Sequence, residues 1–291
     1  MTGRKHLTES ELSLTREGLR RLRKDPFAMA GLAVLLLFAL LSILAPLIAP
    51  YGRDIQNLTE TYKAPGAGHL LGTDELGRDI FTRLLYGGRV SLTVGLASTA
   101  ITVALGITLG AVSGYFGGIW DSVIMRLTDI FMCFPFYVIA ITCAAVFGAG
   151  IMNVILISGF LNWTSICRLV RGEVLSLKQL DYMEAAKAQG IGSLAIILHH
   201  IIPNVLPIVI VNATLGVADG ILSEAGLSYL GLGVAPPTPS WGNMLAAAQN
   251  LRVLRGYWWL WVPAGACVCV TILAINFLGD GLRNALDPKS E

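Results

Sequence analysis

Residues 27 to 48 read FAMAGLAVLLLFALLSILAPLI, a run without a single charge. In hydrocarbon such a backbone can satisfy its own hydrogen bonds only as an α-helix. The run also meets the ~20 residues needed to cross a bilayer core of about 30 Å. It exceeds the h-region of a signal peptide, about 7 to 15 residues, so it reads as an uncleaved anchor. Five further runs, near 90–114, 130–148, 151–168, 196–220 and 258–279, predict an all-α membrane protein of about six transmembrane helices. Asn162 and Trp163 interrupt the fourth run, and Pro203 and Pro207 would kink or shorten the fifth, which leaves five or seven spans open. Composition agrees: 54% of residues are hydrophobic and 14% charged, against roughly 25% charged in an average soluble domain.

Orientation follows from Lys and Arg, which collect in cytoplasmic loops. Placing residues 1–26 inside puts fourteen of them inside and seven outside, with both termini cytoplasmic. The expected organisation is a cytoplasmic segment 1–26, a first transmembrane helix 27–48, an extracytoplasmic loop 49–89, a core domain 90–280 and a cytoplasmic tail 281–291. Leu12, Leu19 and Leu22 share a helical face with arginines around them, a pattern that suits either an interfacial helix on anionic lipid or a topological signal alone. The five cysteines, Cys133, Cys143, Cys167, Cys267 and Cys269, lie in or beside apolar runs without CxxC spacing, and no metal site is expected.

On the cytoplasmic side, LSLKQLDYMEAAKAQ at 175–189 favours a helix that Gly190 stops. Gly192 and Ser193 then allow a sharp turn into the next apolar helix, so force on one helix would move the other. Ala185, Ala186, Ala188 and Gly190 leave the backbone open to another surface, with Glu184 and Lys187 at the rim. The blander reading is a connecting helix on which Glu184 and Lys187 pair in water.

This stretch resembles the EAA loop of ABC importer permeases. Glu184, Ala185, Ala186, Gly190, Pro203 and Asn204 fall in step with that pattern, while His199 departs from it slightly. Three more segments carry the likeness and narrow it to the C-type permeases of the dipeptide, oligopeptide and nickel subfamily: GTDELGRDIFTRLLYGGRVSL at 72–92, LSEAGLSYLGLGVAPPTPSWGNML at 222–245, and NFLGDGLRNALDP at 276–288. The first reads physically as an amphipathic helix capped by Thr73 or Asp74, with Asp79 spaced to pair with Arg83. In the second, Gly226, Gly231, Gly233 and the prolines forbid a long regular helix.

The resemblance implies a type I importer fold in the bacterial cytoplasmic membrane, with Glu184, Ala185, Ala186, Lys187 and Gly190 as the coupling residues to an ATPase. It further implies a B-type permease homologue as pore partner, two ABC ATPase subunits and an extracytoplasmic substrate-binding protein, besides membrane lipid; nucleic acid is not expected. The chain has no GxxxxGK[ST] loop, so ATP and Mg would bind the partner ATPases and no cofactor this chain. Polar residues inside spans usually face a cavity or another helix, which makes Asn162, Thr164, Asn212, Asp219, Glu224 and Asn276 pathway candidates or interhelical partners. Arg126 and Asp129 are spaced to pair with each other. Peptide is the preferred cargo, with nickel, a metal chelate or glutathione as alternatives. An ion-coupled secondary transporter is the rival class, for which no internal repeat is evident.

Overall fold

The computed structural model describes residues 20–286, and helices dominate them. Helix α1 (Pro26–Ile43) starts where the side chain of Asp25 accepts the N–H groups of Phe27 and Ala28 at 2.9 and 3.1 Å. Pro26 lies in the first turn, where its missing N–H is no loss. A break at Leu44 precedes the short α2 (Ala45–Ile48), so the expected 27–48 span is one crossing in two pieces. Most of the proposed interfacial segment lies outside the described residues.

Helix α3 (Ile80–Phe116) is 37 residues long and, at 1.5 Å per residue, about 55 Å. It corrects two expectations. Residues 80–92 are the first turns of this membrane helix, not a separate amphipathic element, and its cap is Asp79, which accepts the Thr82 N–H at 2.7 Å, not Thr73 or Asp74. The loop from 49 therefore ends at Asp79, not at residue 89.

Helices α4 (Gly118–Cys133) and α5 (Phe136–Phe147) meet at 87°, so the span expected at 130–148 is a bent pair. Pro135 lacks an N–H and forces Phe134 into an extended conformation, which breaks the helix there. Helices α6 (Ile151–Leu161) and α7 (Trp163–Leu177) form one long crossing interrupted at Asn162. The short α8 (Asp181–Ala188) follows, so the helix expected over 175–190 is split at residues 178–180.

Helix α9 (Ser193–Tyr229) passes through a π-helical stretch at Ile197–Ile201 just before Pro203. The ring of Pro203 cannot donate to the preceding turn, and a wider local register absorbs the missing bond. Gly226 lies inside this helix, contrary to expectation, and the chain turns only after Tyr229. Two short helices, α10 (Trp241–Leu245) and α11 (Leu251–Gly256), precede α12 (Val262–Leu286), which extends into the segment expected as tail. Among the described residues there are five helices long and apolar enough to cross a membrane, or six if the bent pair is one span.

The central rod is α3. Gly106, Gly110 and Gly114 recur every four residues along the face that meets α7, where Ile166, Cys167, Val170 and Val174 press in. A Cβ on Gly110 would stand 2.6 Å from the Cys167 carbonyl oxygen. Small residues at this spacing let two helix backbones approach, which is how membrane helices gain packing without a hydrophobic driving force between them. On another face, Gly95 and Gly220 bring α3 and α9 equally close.

Candidate functional site

At one end of the bundle, α8 hangs between α7 and α9. Met183 is fully buried, packed into a cluster with Ala111 of α3, Val170 and Val174 of α7, and Ile196 and Ile201 of α9, and Ala186 is nearly as buried. Glu184, Ala185, Lys187 and Ala188 point outward. Of the five expected coupling residues, Ala186 therefore faces the chain's own core, and the free surface is formed by its neighbours.

Gly190 ends α8 for a physical reason. Its φ is +75°, a left-handed conformation that suits glycine. The Gly190 N–H donates to the Lys187 carbonyl at 2.9 Å and the Ile191 N–H to the Ala186 carbonyl at 3.2 Å, the paired bonds of a Schellman motif.

Two lysines tie this end to α3. Lys178 Nζ donates to the Tyr115 carbonyl at 2.9 Å and the Gly114 carbonyl at 3.3 Å, satisfying carbonyls that the last turn of α3 leaves open. Lys187 lies over the Tyr115 ring, 5.9 Å from its centroid. Sequence spacing gives no sign of either contact, because lysine and partner are far apart in the chain. The same applies to Asp129, which pairs with Arg168 at 2.5 Å and not with Arg126, and to Asp121, which holds Arg171 at 2.6 Å.

The polar candidates inside the spans separate into two kinds. Glu224 is fully buried: Ser91 Oγ donates to one carboxylate oxygen at 2.7 Å and Ser228 Oγ to the other at 2.6 Å. Ser91 Oγ also accepts the Trp241 N–H at 3.1 Å, and Ser228 Oγ the Val234 N–H at 3.0 Å. Glu224 thus pins α3, α9 and the segment after Tyr229 together. Asn162 and Asn212 donate back to their own helices, to Ser158 O at 3.0 Å and Ile208 O at 2.8 Å, and Thr164 is buried. Asp219 and Asn276 are exposed.

At the opposite end from α8, the loop 49–79 is held by charge. Asp74 accepts from Arg78 Nε at 2.7 Å and lies 3.7 Å from Arg83 Nε. Arg83 therefore turns to Asp74, leaving Asp79 to cap α3 and to meet the buried His69 ring at 2.9 Å. The other nitrogen of that ring lies 3.2 Å from Glu60. Asp74, Arg78 and Arg83 line a cavity of about 370 Å³ together with Asn243, Asn250 and Val253 from the α10–α11 region.

Comparison with known proteins places this architecture. A family model described as binding-protein-dependent transport system inner membrane component matches residues 106–291. The N-terminal TM domain of oligopeptide transport permease C matches residues 13–65. The chain is 41% identical over 280 residues to the dipeptide transport system permease protein DppC of Bacillus subtilis (strain 168), covering 96% of this chain and 87% of that one. It is 43% identical over 279 residues to the oligopeptide transport system permease protein OppC of Escherichia coli (strain K12), covering 95% and 92%. Among solved structures, a chain of the MetNI methionine ABC transporter in an inward-facing conformation shares the fold, with a TM-score of 0.54 at 18% identity over 70% of this chain and 96% of that one. An outward-facing short helix slung between membrane helices, on a bundle of that fold and with relatives this similar along nearly its whole length, puts the chain in the family of binding-protein-dependent transport system inner membrane components, among the C-type permeases.

Proposed function

We propose that this chain forms half of the translocation pathway for di- or oligopeptides in a bacterial cytoplasmic membrane, and that α8 couples the pathway to a separate ATPase. The chain is a membrane subunit of an importer and not itself catalytic. The observation that carries the coupling role is the division of α8: Met183 and Ala186 anchor it in the bundle, while Glu184, Ala185 and Lys187 face out beside a Gly190 stop. A helix anchored on one side and open on the other transmits push and pull without dissolving.

In this reading α8 and both termini are cytoplasmic, and the loop 49–79 with the 230–261 segment faces outward. The partners are a B-type permease homologue, two ABC ATPase subunits that bind ATP and Mg, and an extracytoplasmic binding protein. Residues 1–26 form the inner segment, 27–48 the anchor and the remainder from α3 onward the permease core. Peptide cargo is supported by the dipeptide and oligopeptide relatives. The polar face of α9 and Asn276 of α12 line the pathway, while Glu224 serves as a buried junction.

The test is affinity purification of the tagged chain from membranes, with and without Glu184→Arg. Co-purifying ATPase subunits lost with that substitution, while the permease partner stays bound, supports α8 as the docking element. Retention of the ATPase and unchanged peptide uptake would overturn it.

A further inference from the structure

Asp219 sits on α9 between Ala218, clustered with Ile275 near the middle of α12, and Gly220, which lies against Gly95 and Ser98 of α3. Its neighbours thus fix it at mid-height of the bundle, with its own side chain exposed between the flanks of α9 that meet α12 and α3. Asn212, Asp219 and Ser223 recur at i, i+7 and i+11, so they form one strip along α9, bordered by Gly216, which meets Thr99 of α3.

Asp219 has no hydrogen bond or ion pair among the described residues. Nor can the neighbouring helices supply a cation at this depth. Residues 90–116, 136–161 and 262–282 contain no Lys or Arg, and neither does α1. The two arginines of α7 are held by Asp121 and Asp129. Five residues further along the same helix the fold satisfies Glu224 with a serine on each oxygen. One carboxylate is hydrogen-bonded on both oxygens and the other is left exposed.

A carboxylate at this depth is costly against acyl chains, and such groups face water, a cavity or a cation. Resting on the reading of this face of α9 as pathway, we infer that Asp219 is a cation-selecting position that attracts the protonated amino terminus of a passing peptide. Asn212 and Ser223, two turns and one turn away on either side along the strip, offer neutral hydrogen-bond partners to the peptide backbone. A single carboxylate in a hydrated passage attracts without trapping, as conduction through successive sites requires.

The experiment uses the assembled importer in proteoliposomes, with native cysteines replaced by serine and Ser223→Cys as reporter. Labelling rates are compared for trimethylammonioethyl and sulfonatoethyl methanethiosulfonate, a cation and an anion of similar size. The cation-to-anion rate ratio falls about tenfold when Asp219→Asn is added, as Coulomb attraction one helical turn away in a hydrated site predicts, and is kept by Asp219→Glu. A reactive cysteine whose ratio ignores Asp219→Asn overturns the charge role and leaves the pathway reading standing. A cysteine that neither reagent reaches, at rest or during turnover, overturns both, and means the partner permease or lipid covers the strip.

Discussion

Met183→Ala should uncouple ATP hydrolysis from transport without detaching the ATPase. Met183 is fully buried, and with Ala186 it is the apolar anchor of an eight-residue helix. A helix that short is marginal alone and depends on packing for its structure. Truncating a buried methionine to alanine costs about 2–5 kcal/mol, and even 2 kcal/mol lowers the ratio of docked to undocked α8 about 30-fold. Glu184, Ala185 and Lys187 are untouched, so the side chains offered to the ATPase persist and only their link to the bundle is weakened. The assay is peptide uptake and ATP hydrolysis measured together in proteoliposomes with saturating loaded binding protein. Uptake per ATP should fall severalfold while hydrolysis continues, and Met183→Leu, close in volume, should restore most of it. Unchanged uptake per ATP in a Met183→Ala complex that assembles normally would refute the claim that anchoring through this side chain transmits the stroke.

Glu224→Ala leaves the Ser91 and Ser228 hydroxyls without their shared acceptor and should lower the thermal stability of the detergent-solubilised complex, at a cost of about 1–3 kcal/mol; Glu224→Gln, which keeps one acceptor oxygen, should lower it less. Gly110→Leu places a side chain against the Cys167 carbonyl and should cost more than about 3 kcal/mol by forcing α3 from α7, visible as loss of monodisperse protein in size-exclusion chromatography. Glu60 is held down to about 2, first by its hydrogen bond from Lys63 and then by His69. A depressed carboxylate stabilises the fold above its ordinary value of 4.5 and loses that contribution as pH falls toward 2. Amide protection factors in loop 49–79, taken relative to intrinsic exchange rates at each pH, should therefore fall across that window, and Glu60→Gln should flatten the fall.

The spans and the α8 region were legible because each rests on local information: an apolar run long enough to cross a membrane, or a Gly that only a stop accommodates. The ends of elements were not, and the reasons are tertiary. Asp79 and Arg83 have the right spacing for a pair, but Arg83 is drawn to Asp74 and Asp79 is taken by the helix cap and His69. Asp129 prefers Arg168 on a neighbouring helix to Arg126 on its own. Gly226 looked like a breaker, yet it continues α9 because the Tyr137 ring packs where its side chain would be. The serines on Glu224 lie on segments of recognisable sequence, but Ser91 is 133 residues away, a separation at which periodicity carries no signal.

The length of α3 has a mechanical consequence. Its last turn is gripped by Lys178 and touched by Lys187, and its first turn is fastened through Asp79 to His69 and the loop beyond. A continuous α-helix is stiff along its axis, so a displacement applied at Tyr115 arrives at Asp79 largely undiminished. With the proposed coupling through α8, the two mouths of the importer share a single pushrod: closing of the ATPases at one end would be felt where cargo is received, and arrival of a loaded binding protein would be felt at the engine.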